Sequence, residues 1–577
     1  MPFQLSPGVN VSEIDLTTIV PAVGTTEGAF VGNFNWGPLE EIRTISSEVE
    51  LVDTFGKPDN NNFTDFFTAA NFLAYARNLK VVRAAGASAK NAGGGPGTIT
   101  PILIKNSDDY TTNYINMEAA NTAGMFAARY PGELGNSLKV SLWANTNYIA
   151  RSQWNATTWL YAEQFNSAPN TSPYAASVNG RGDEMHIIVI DEQGKISGTA
   201  NTILEKFAYV SKAADAITSD GGSNYYVNVI NDRSKYIYVV NHALDVDQLE
   251  DAAEWGLTAP NTTFTQGLSK YEFSFTGGTT GAVTDANRIT AYDRFANAEE
   301  VDVSLVVTGA ANLAVVQHCI DNIAEYRKDC IVFCSPTRAN VVSVSTSDAA
   351  NNAIAYRTAM NRSTSYAVMD SSWKYQFDKY NNVYRWVPMN GDVAGLCVRT
   401  DYERDPWFSP AGFNRGQIKN VVKLSYNADK TDRDELYKNG INPITTFRGE
   451  GTILYGDKTM LTKPSAFDRI NVRRLFIVLE KAIARAAKYS LFEFNDEFTR
   501  AQFVALIEPY LRDVQGRRGI YDFRVVCDET NNTPEVIDRN EFIGDIYIKP
   551  ARSINFIQLN FIAVRTGVAF EEVVGRF

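Results

Sequence analysis

The stretch VDVSLVVTGAANLAVVQHCIDNIAEYRKDCIVFC, residues 301–334, decides how this chain is read. Its first part, 301–307, is dense in β-branched residues, and its last part, 329–334, ends in the uninterrupted apolar run IVFC. Between them, over 312–327, apolar positions recur at three- and four-residue spacing, the period of a helix with one buried face. Strand, helix and strand in so few residues is a βαβ unit, because a parallel strand pair needs a crossover and the helix then covers one sheet face. A piece of the same kind stands near the start: AFVGNFNWGP, then a helical pattern over 63–78, then the strand LKVVRAA.

The 191 residues from 88 to 278 change character, becoming rich in Gly, Asn, Ser, Thr and Tyr. Strands at 185–190 and 236–240 are separated by turn clusters such as DEQG and SDGGSN, which reads as a mainly β insertion projecting from the core. Beyond residue 401 come two helical patterns, 468–489 and 497–514, the first with Ser465 and Asp468 spaced as a capping box. Strands follow at 521–527, 545–549 and 555–564. Both extremities, GVNVSEIDL (8–16) and GVAFEEVVGRF (567–577), carry strand-like material with no evident partner. Unpaired strands close to a terminus invite pairing with another chain.

At 577 residues the length suggests three to four domains, and 44% hydrophobic with 21% charged residues is ordinary for globular cores. Apolar runs such as 475–479 fall far short of the roughly 20 residues that cross a bilayer, and Met1-Pro2 opens no export signal, so neither membrane insertion nor export is expected. Five scattered cysteines (Cys319, Cys330, Cys334, Cys397, Cys527) read as free buried thiols, two of them bracketing the IVF strand. The net charge of -12 is concentrated before residue 401, which leaves no general basic footprint for nucleic acid.

Catalytic signals are absent from the sequence. His186, His242 and His318 are too dispersed for a metal cluster, and no GxSxG, HExxH or CxxC occurs. Gly277, Gly278 and Gly281 in FTGGTTGAVTDAN lack the Lys-Ser/Thr that would complete a phosphate loop and read as a tight turn. Asp432 and Asp434, alternating with Arg433, read as a solvated face. The expectation is a protein that is not an enzyme and has no cofactor and no metal.

The informative element is RINVRRLFIVLEKAIARAAKYS. On a helix, Val472, Leu475, Phe476, Leu479, Ala482, Ile483 and Ala486 fall on one side, a stripe that must pack on a core. Arg469, Arg473, Arg474, Lys481, Arg485 and Lys488 project from the opposite half, with Glu480 as the single acid among them. That face reads either as a solvated helix surface or, in so acidic a chain, as a docking surface for an acidic partner.

The same residues carry a family likeness. The run 391–495, with GDVAGLCVRTD, WFSPAG, NGINPITTFRGEGTILYGDKTM, RINVRRLFIVLEKAI and FEFND, resembles the contractile tail sheath proteins of bacterial viruses. So do the end, PEVIDRNEFIGDIYIKPARSINFIQLNFIAV, the start, SPGVNVSEID, and in the middle ARYPGELGNSLKV and TGGTTGAVTDAN. The likeness covers the chain before residue 90 and after 275, and the insertion only in patches. Phe494 stands where Pro is commoner, and Asp457 and Met460 where Ala and Leu are usual.

The resemblance implies an α+β, multidomain fold: an α/β core with a βαβ unit (22–87 plus 279–400), a mainly β protruding insertion (88–278), and a C-terminal α/β domain (401–566) facing inward, whose sheet is completed by arms of neighbouring subunits (1–21 and 567–577). It implies a structural subunit that stacks as six-membered rings around a tail tube and contracts to drive the tube through the host envelope for genome delivery. The partners would be further copies of the chain, the tail tube protein, and baseplate and tail terminator proteins, with no direct contact to nucleic acid and no stable membrane insertion. The place would be the virion tail, assembled in the host cytoplasm. The arm residues would be Gly8, Val9, Val11, Ile14 and Leu16 at one end and Val568, Phe570 and Val573 at the other. Ile546, Ile548, Phe556, Gln558 and Asn560 would form the accepting sheet, and Arg473, Arg474, Lys481, Arg485 and Lys488 the tube-facing basic helix. Glu13 and Asp15 would restrain premature pairing of the first arm. Nearby alternatives are the sheath of a phage-derived bacteriocin or of a secretion-type injection machine; a capsid or adhesin protein is the alternative of a different class.

Overall fold

The computed structural model describes residues 24–115, 121–144, 153–241, 254–264, 270–555 and 558. Its largest sheet is made of β1 (Gly28–Asn33), β2 (Ile42–Ile45), β3 (Leu79–Ala84), β4 (Leu305–Val307), β5 (Ile331–Cys334), β6 (Ala367–Asp370) and β7 (Ile441–Asn442). The strand order is β7-β6-β5-β4-β1-β3-β2. Every neighbouring pair is parallel except β2 with β3 at one edge. Parallel sheets are covered on both faces, so their strands show apolar runs instead of alternation. In β5, Val332 and Cys334 enter one core cluster with Cys319, Ile320 and Ile323, while Ile331 and Phe333 enter another with Phe66, Phe72 and Leu396.

The βαβ unit is present with shifted limits. The ladder begins at Leu305, not 301, because the amides of Ser304 and Leu305 both donate to Glu27 O just ahead of β1. The crossover runs as α-helix over Leu313–His318, widens to a π-helical stretch over Cys319–Ala324, and closes over Glu325–Arg327. Lys328, in the left-handed region with φ of 61°, turns the chain into β5, which starts after Cys330.

Six further helices matter here: α1 (Phe63–Leu73), α2 (Asp285–Tyr292), α3 (Thr346–Met360), α4 (Asn390–Glu403), α5 (Ile470–Ala487) and α6 (Glu497–Gly516). The GDVAG of α4 lets it lie close to α1. A Cβ on Gly391 would stand 2.5 Å from Thr68 O, and one on Gly395 2.6 Å from the Tyr75 ring.

The insertion has a sheet and core of its own. Tyr271–Ser274, Leu138–Trp143, Glu184–Asp191 and Thr202–Ser211 form an antiparallel sheet in that order. Glu184–Asp191 is buried along its whole length, with Ile187 and Val189 on one cluster and Ile188 and Ile190 on another with Trp143 and Trp159. His186 stacks on Phe165 at 4.1 Å and its Nδ1 accepts from Tyr209 N at 3.1 Å. Burial lowers its pKa to about 4, so the ring packs as a neutral group. Gly277 and Gly281 have φ of 78° and 68°, as the tight turn requires.

The described residues fall into two compact units, 24–406 with Pro410–Ala482, and Trp407–Ser409 with 483–555 and 558. The boundary expected at residue 401 therefore lies inside the first unit. The reason is β7: Ile441 and Asn442 pair with Met369 and Asp370 and extend the main sheet. In the second unit α6 is capped by Asp496, which accepts from Thr499 N at 2.8 Å, and it buries Phe503, Ile507, Leu511 and Val514 on one face. There β8 (Ile520–Val526) and β9 (Asp545–Pro550) form an antiparallel sheet, two-stranded among the described residues. The arm residues Gly8, Val9, Val11, Ile14, Leu16, Val568, Phe570 and Val573 lie outside the described residues, as does most of the strand expected at 555–564. The whole is a mixed α/β, multidomain protein.

Candidate functional site

Helix α5 starts at Ile470, two residues later than expected. Ser465 caps only a short turn, Ala466–Asp468, by accepting from Phe467 N, so the capping box does not form. The apolar stripe packs as its spacing demands: Val472, Leu475, Leu479, Ala482 and Ala486 are all buried. The opposite half is buried too, over the first ten residues, since Arg473 and Arg474 are only 4% and 2% exposed.

Those two arginines are held from inside. Arg474 Nη2 lies 2.7 and 2.6 Å from the two carboxylate oxygens of Asp401, and Nη1 donates to Cys397 O at 3.3 Å. Asp401 also accepts from Thr25 Oγ1 at 2.6 Å; burial raises its pKa, against which Arg474 works. Arg473 lies over the Tyr366 and Phe467 rings, 4.4 Å from each centroid, and reaches Glu480 at 3.5 Å. Lys481 donates to Asp302 Oδ1 at 2.8 Å, Val303 O at 3.0 Å and Ser304 Oγ at 3.1 Å, fastening α5 to the lead-in of β4. Of the five residues expected to form the tube-facing basic helix, Arg473, Arg474 and Lys481 are thus held inside the dispersed chain. Periodicity placed them away from the apolar stripe, but it carries no information about Asp401, Asp302 or Asp329, which come from other segments and neutralise Arg474 and Lys481. Arg485 and Lys488 are exposed.

In the β8–β9 sheet, Ile546 pairs with Val525 and Ile548 with Phe523, on the same face and half-buried. On the other face Tyr547 is 60% exposed. Asn532 fixes the connection by donating to Ile543 O at 2.8 Å and accepting from Ile543 N at 2.9 Å. Gln558 is exposed; Phe556 and Asn560 lie outside the described residues.

The sequence reading passed over one surface. Tyr489, Leu491, Phe492, Phe494 and Phe498 are all well exposed, Phe492 completely, and Phe492 has φ of 68°. Five large apolar side chains within ten residues form a patch of the kind that marks an interaction surface. The available signal was the run LFEFNDEF itself, with four large apolar side chains in eight residues at the junction of two helices.

Family models match along the chain: the phage tail sheath protein central domain at residues 281–460, the phage tail sheath C-terminal domain at 462–563, and the domain III N-terminal region of tail sheath protein Gp18 at 28–84. The tail sheath protein of Vibrio phage KVP40 is 35% identical over 99% of this chain and 100% of its own length. That of Enterobacteria phage T4 is 35% identical over 99% of each. This chain belongs to the phage tail sheath family.

The fold agrees. A sheath tail protein from Listeria innocua superposes with a TM-score of 0.53 at 12% identity, covering 92% of this chain and 93% of that one. One from Desulfitobacterium hafniense gives 0.52 at 12%, covering 94% and 100%. The sheath protein is a structural component of the contractile phage tail in the virion and not an enzyme. The motif residues now have physical roles: GDVAG sets the α1–α4 approach, and Arg473 and Arg474 of RINVRRL are internal struts.

Proposed function

We propose that the sheath protein polymerises as stacked six-membered rings around the tail tube, and that passage from an extended to a contracted lattice drives the tube through the host envelope to deliver the genome. The copies are joined by β-augmentation. The N-terminal arm (Gly8, Val9, Val11, Ile14, Leu16) and the C-terminal arm (Val568, Phe570, Val573) of one copy add strands to a neighbour's sheet carrying Ile546, Ile548, Phe556, Gln558 and Asn560. The observation that carries this reading is the β8–β9 sheet itself. Among the described residues this sheet has two strands, a number marginal in water, and its half-buried isoleucine face fits one that further strands complete.

Nine extended residues span about 30 Å, enough to reach an adjacent copy. Four or five backbone hydrogen bonds at about 1 kcal/mol each give a moderate tie that repetition over a lattice makes strong. Such pairing does not depend on the orientation of the rest of the neighbour, so the compact units swing as rigid bodies while the ties hold, and two packings of one sequence supply the energy. No nucleotide is needed.

Burial of Arg473, Arg474 and Lys481 moves the tube contact toward Arg485, Lys488 and the aromatic segment Tyr489–Phe498. Baseplate and tail terminator proteins bound the polymer at its ends, and assembly takes place in the host cytoplasm. Electron microscopy of the purified chain tests the reading: hollow striated cylinders are expected, and a chain that stays monomeric at high concentration contradicts it. A bacteriocin or secretion-type sheath would give the same cylinders and is separated by its tube partner.

A further inference from the structure

Beside the main sheet, in the unit containing 24–406 and Pro410–Ala482, lies a cleft of about 520 Å³. Arg357, Arg362, Lys438, Lys458 and Lys463 line it, with Asp468 the only acid among the lining residues. This is a concentration of positive charge on a chain whose net charge is -12.

Arg357, in α3, is the telling member. It is 6% exposed, yet among the described residues its one hydrogen bond is from Nη2 to Met460 O at 2.6 Å, and its buried Nε has no partner there. Burial lowers its pKa, and no carboxylate among the described residues offsets this. Contrast Arg474, equally buried but neutralised by Asp401. An uncompensated buried cation is costly, and structures that retain one hold a counter-charge for it. Of the other cations, Lys438 and Lys463 are little committed. Lys463 is exposed at the rim, Lys438 stands 3.8 Å from the exposed Glu435, and Lys458 Nζ donates to Tyr437 O at 2.8 Å. Arg362 is paired with Asp321 at 2.8 Å, at the surface.

We propose that this cleft receives carboxylate side chains from a second copy of the chain. The proposal rests on the polymer reading above, and charge complementarity selects the occupant. The acid of this chain is concentrated before residue 401, and exposed acids such as Glu299 and Glu300 form no ion pair among the described residues. A cationic cleft on one surface answered by acids on a different surface is a heterologous contact, the kind that builds an open helical lattice.

The test uses polymers assembled from an equal mixture of isotopically light and heavy chains, treated with a carbodiimide that joins amines to carboxylates in direct contact. Mixed-isotope crosslinks from Lys438, Lys458 or Lys463 to Asp or Glu are expected, and crosslinks confined to chains of one isotope overturn the proposal. In parallel, K438E/K463E should raise the concentration needed for assembly about tenfold, and K438R/K463R should leave it within about twofold. Circular dichroism and the melting temperature of the dispersed chain establish that both variants fold. Assembly of K438E/K463E at the wild-type concentration overturns the cleft contact while leaving the polymer reading standing. Failure of the wild-type chain to assemble overturns the polymer reading instead. Inorganic phosphate bound by the dispersed chain at Lys438 and Lys463, with assembly of the variant unimpaired, shows a small-anion site and overturns the proposal.

Discussion

Arg474 and Asp401 meet with Nη2 2.6 and 2.7 Å from the two carboxylate oxygens, and their side chains are 2% and 6% exposed. A residue that looked like part of a docking face is thereby a strut between α4 and α5. Arg474→Met strands a buried carboxylate and is expected to lower the stability of the dispersed chain by about 3–5 kcal/mol in denaturant titration. A loss under 1 kcal/mol would show that the pair is not structural.

Charge reversal divides the basic helix in two. Arg485→Glu with Lys488→Glu should leave the chain folded and abolish decoration of isolated tail tubes. Arg473→Glu with Arg474→Glu should prevent folding, seen as loss of soluble expression. If both pairs affect only tube binding, Arg473 and Arg474 are docking residues and not struts.

The exposed aromatics give a third outcome. Phe492→Ser with Phe494→Ser should change stability by no more than about 0.5 kcal/mol, because neither ring is packed in the dispersed chain. Tube decoration in a sedimentation assay should fall sharply. Unchanged decoration removes this segment from the tube contact.

Asp370 supplies a pH dependence. It is buried at the end of β6, accepting from Ser335 Oγ at 2.5 Å and Ser372 N at 3.2 Å, and burial pushes its pKa up to about 8. The folded state therefore keeps a proton that the unfolded chain releases near pH 4. The contribution of this group is fully present below about pH 4 and is lost as pH rises through about 8. Asp370→Asn should flatten that slope in denaturant titrations between pH 5 and 8. An unchanged slope assigns it to other groups.

Much of the fold was legible because parallel strands buried on both faces leave unmistakable runs: IVFC and LKVVRA are β5 and β3 within a residue or two. The helices of the C-terminal part were also placed nearly right, since Phe503, Ile507 and Leu511 recur at one face's spacing. What could not be read was long-range charge pairing. Nothing near Arg474 in sequence points to Asp401, 73 residues earlier, or from Lys481 to Asp302. Nor could a domain limit drawn from composition foresee that two residues, Ile441 and Asn442, would carry the main sheet past residue 401. The aromatic run 489–498 went unread because exposure has no period.

The most direct measurement is a reconstruction by electron cryomicroscopy of cylinders formed by the purified chain, at a resolution that traces each terminus. The account predicts residues 8–16 of one copy hydrogen-bonded as an added strand in the sheet that carries Ile546 and Ile548 of another. Termini folded back onto their own copy, in cylinders that are otherwise intact, would contradict it.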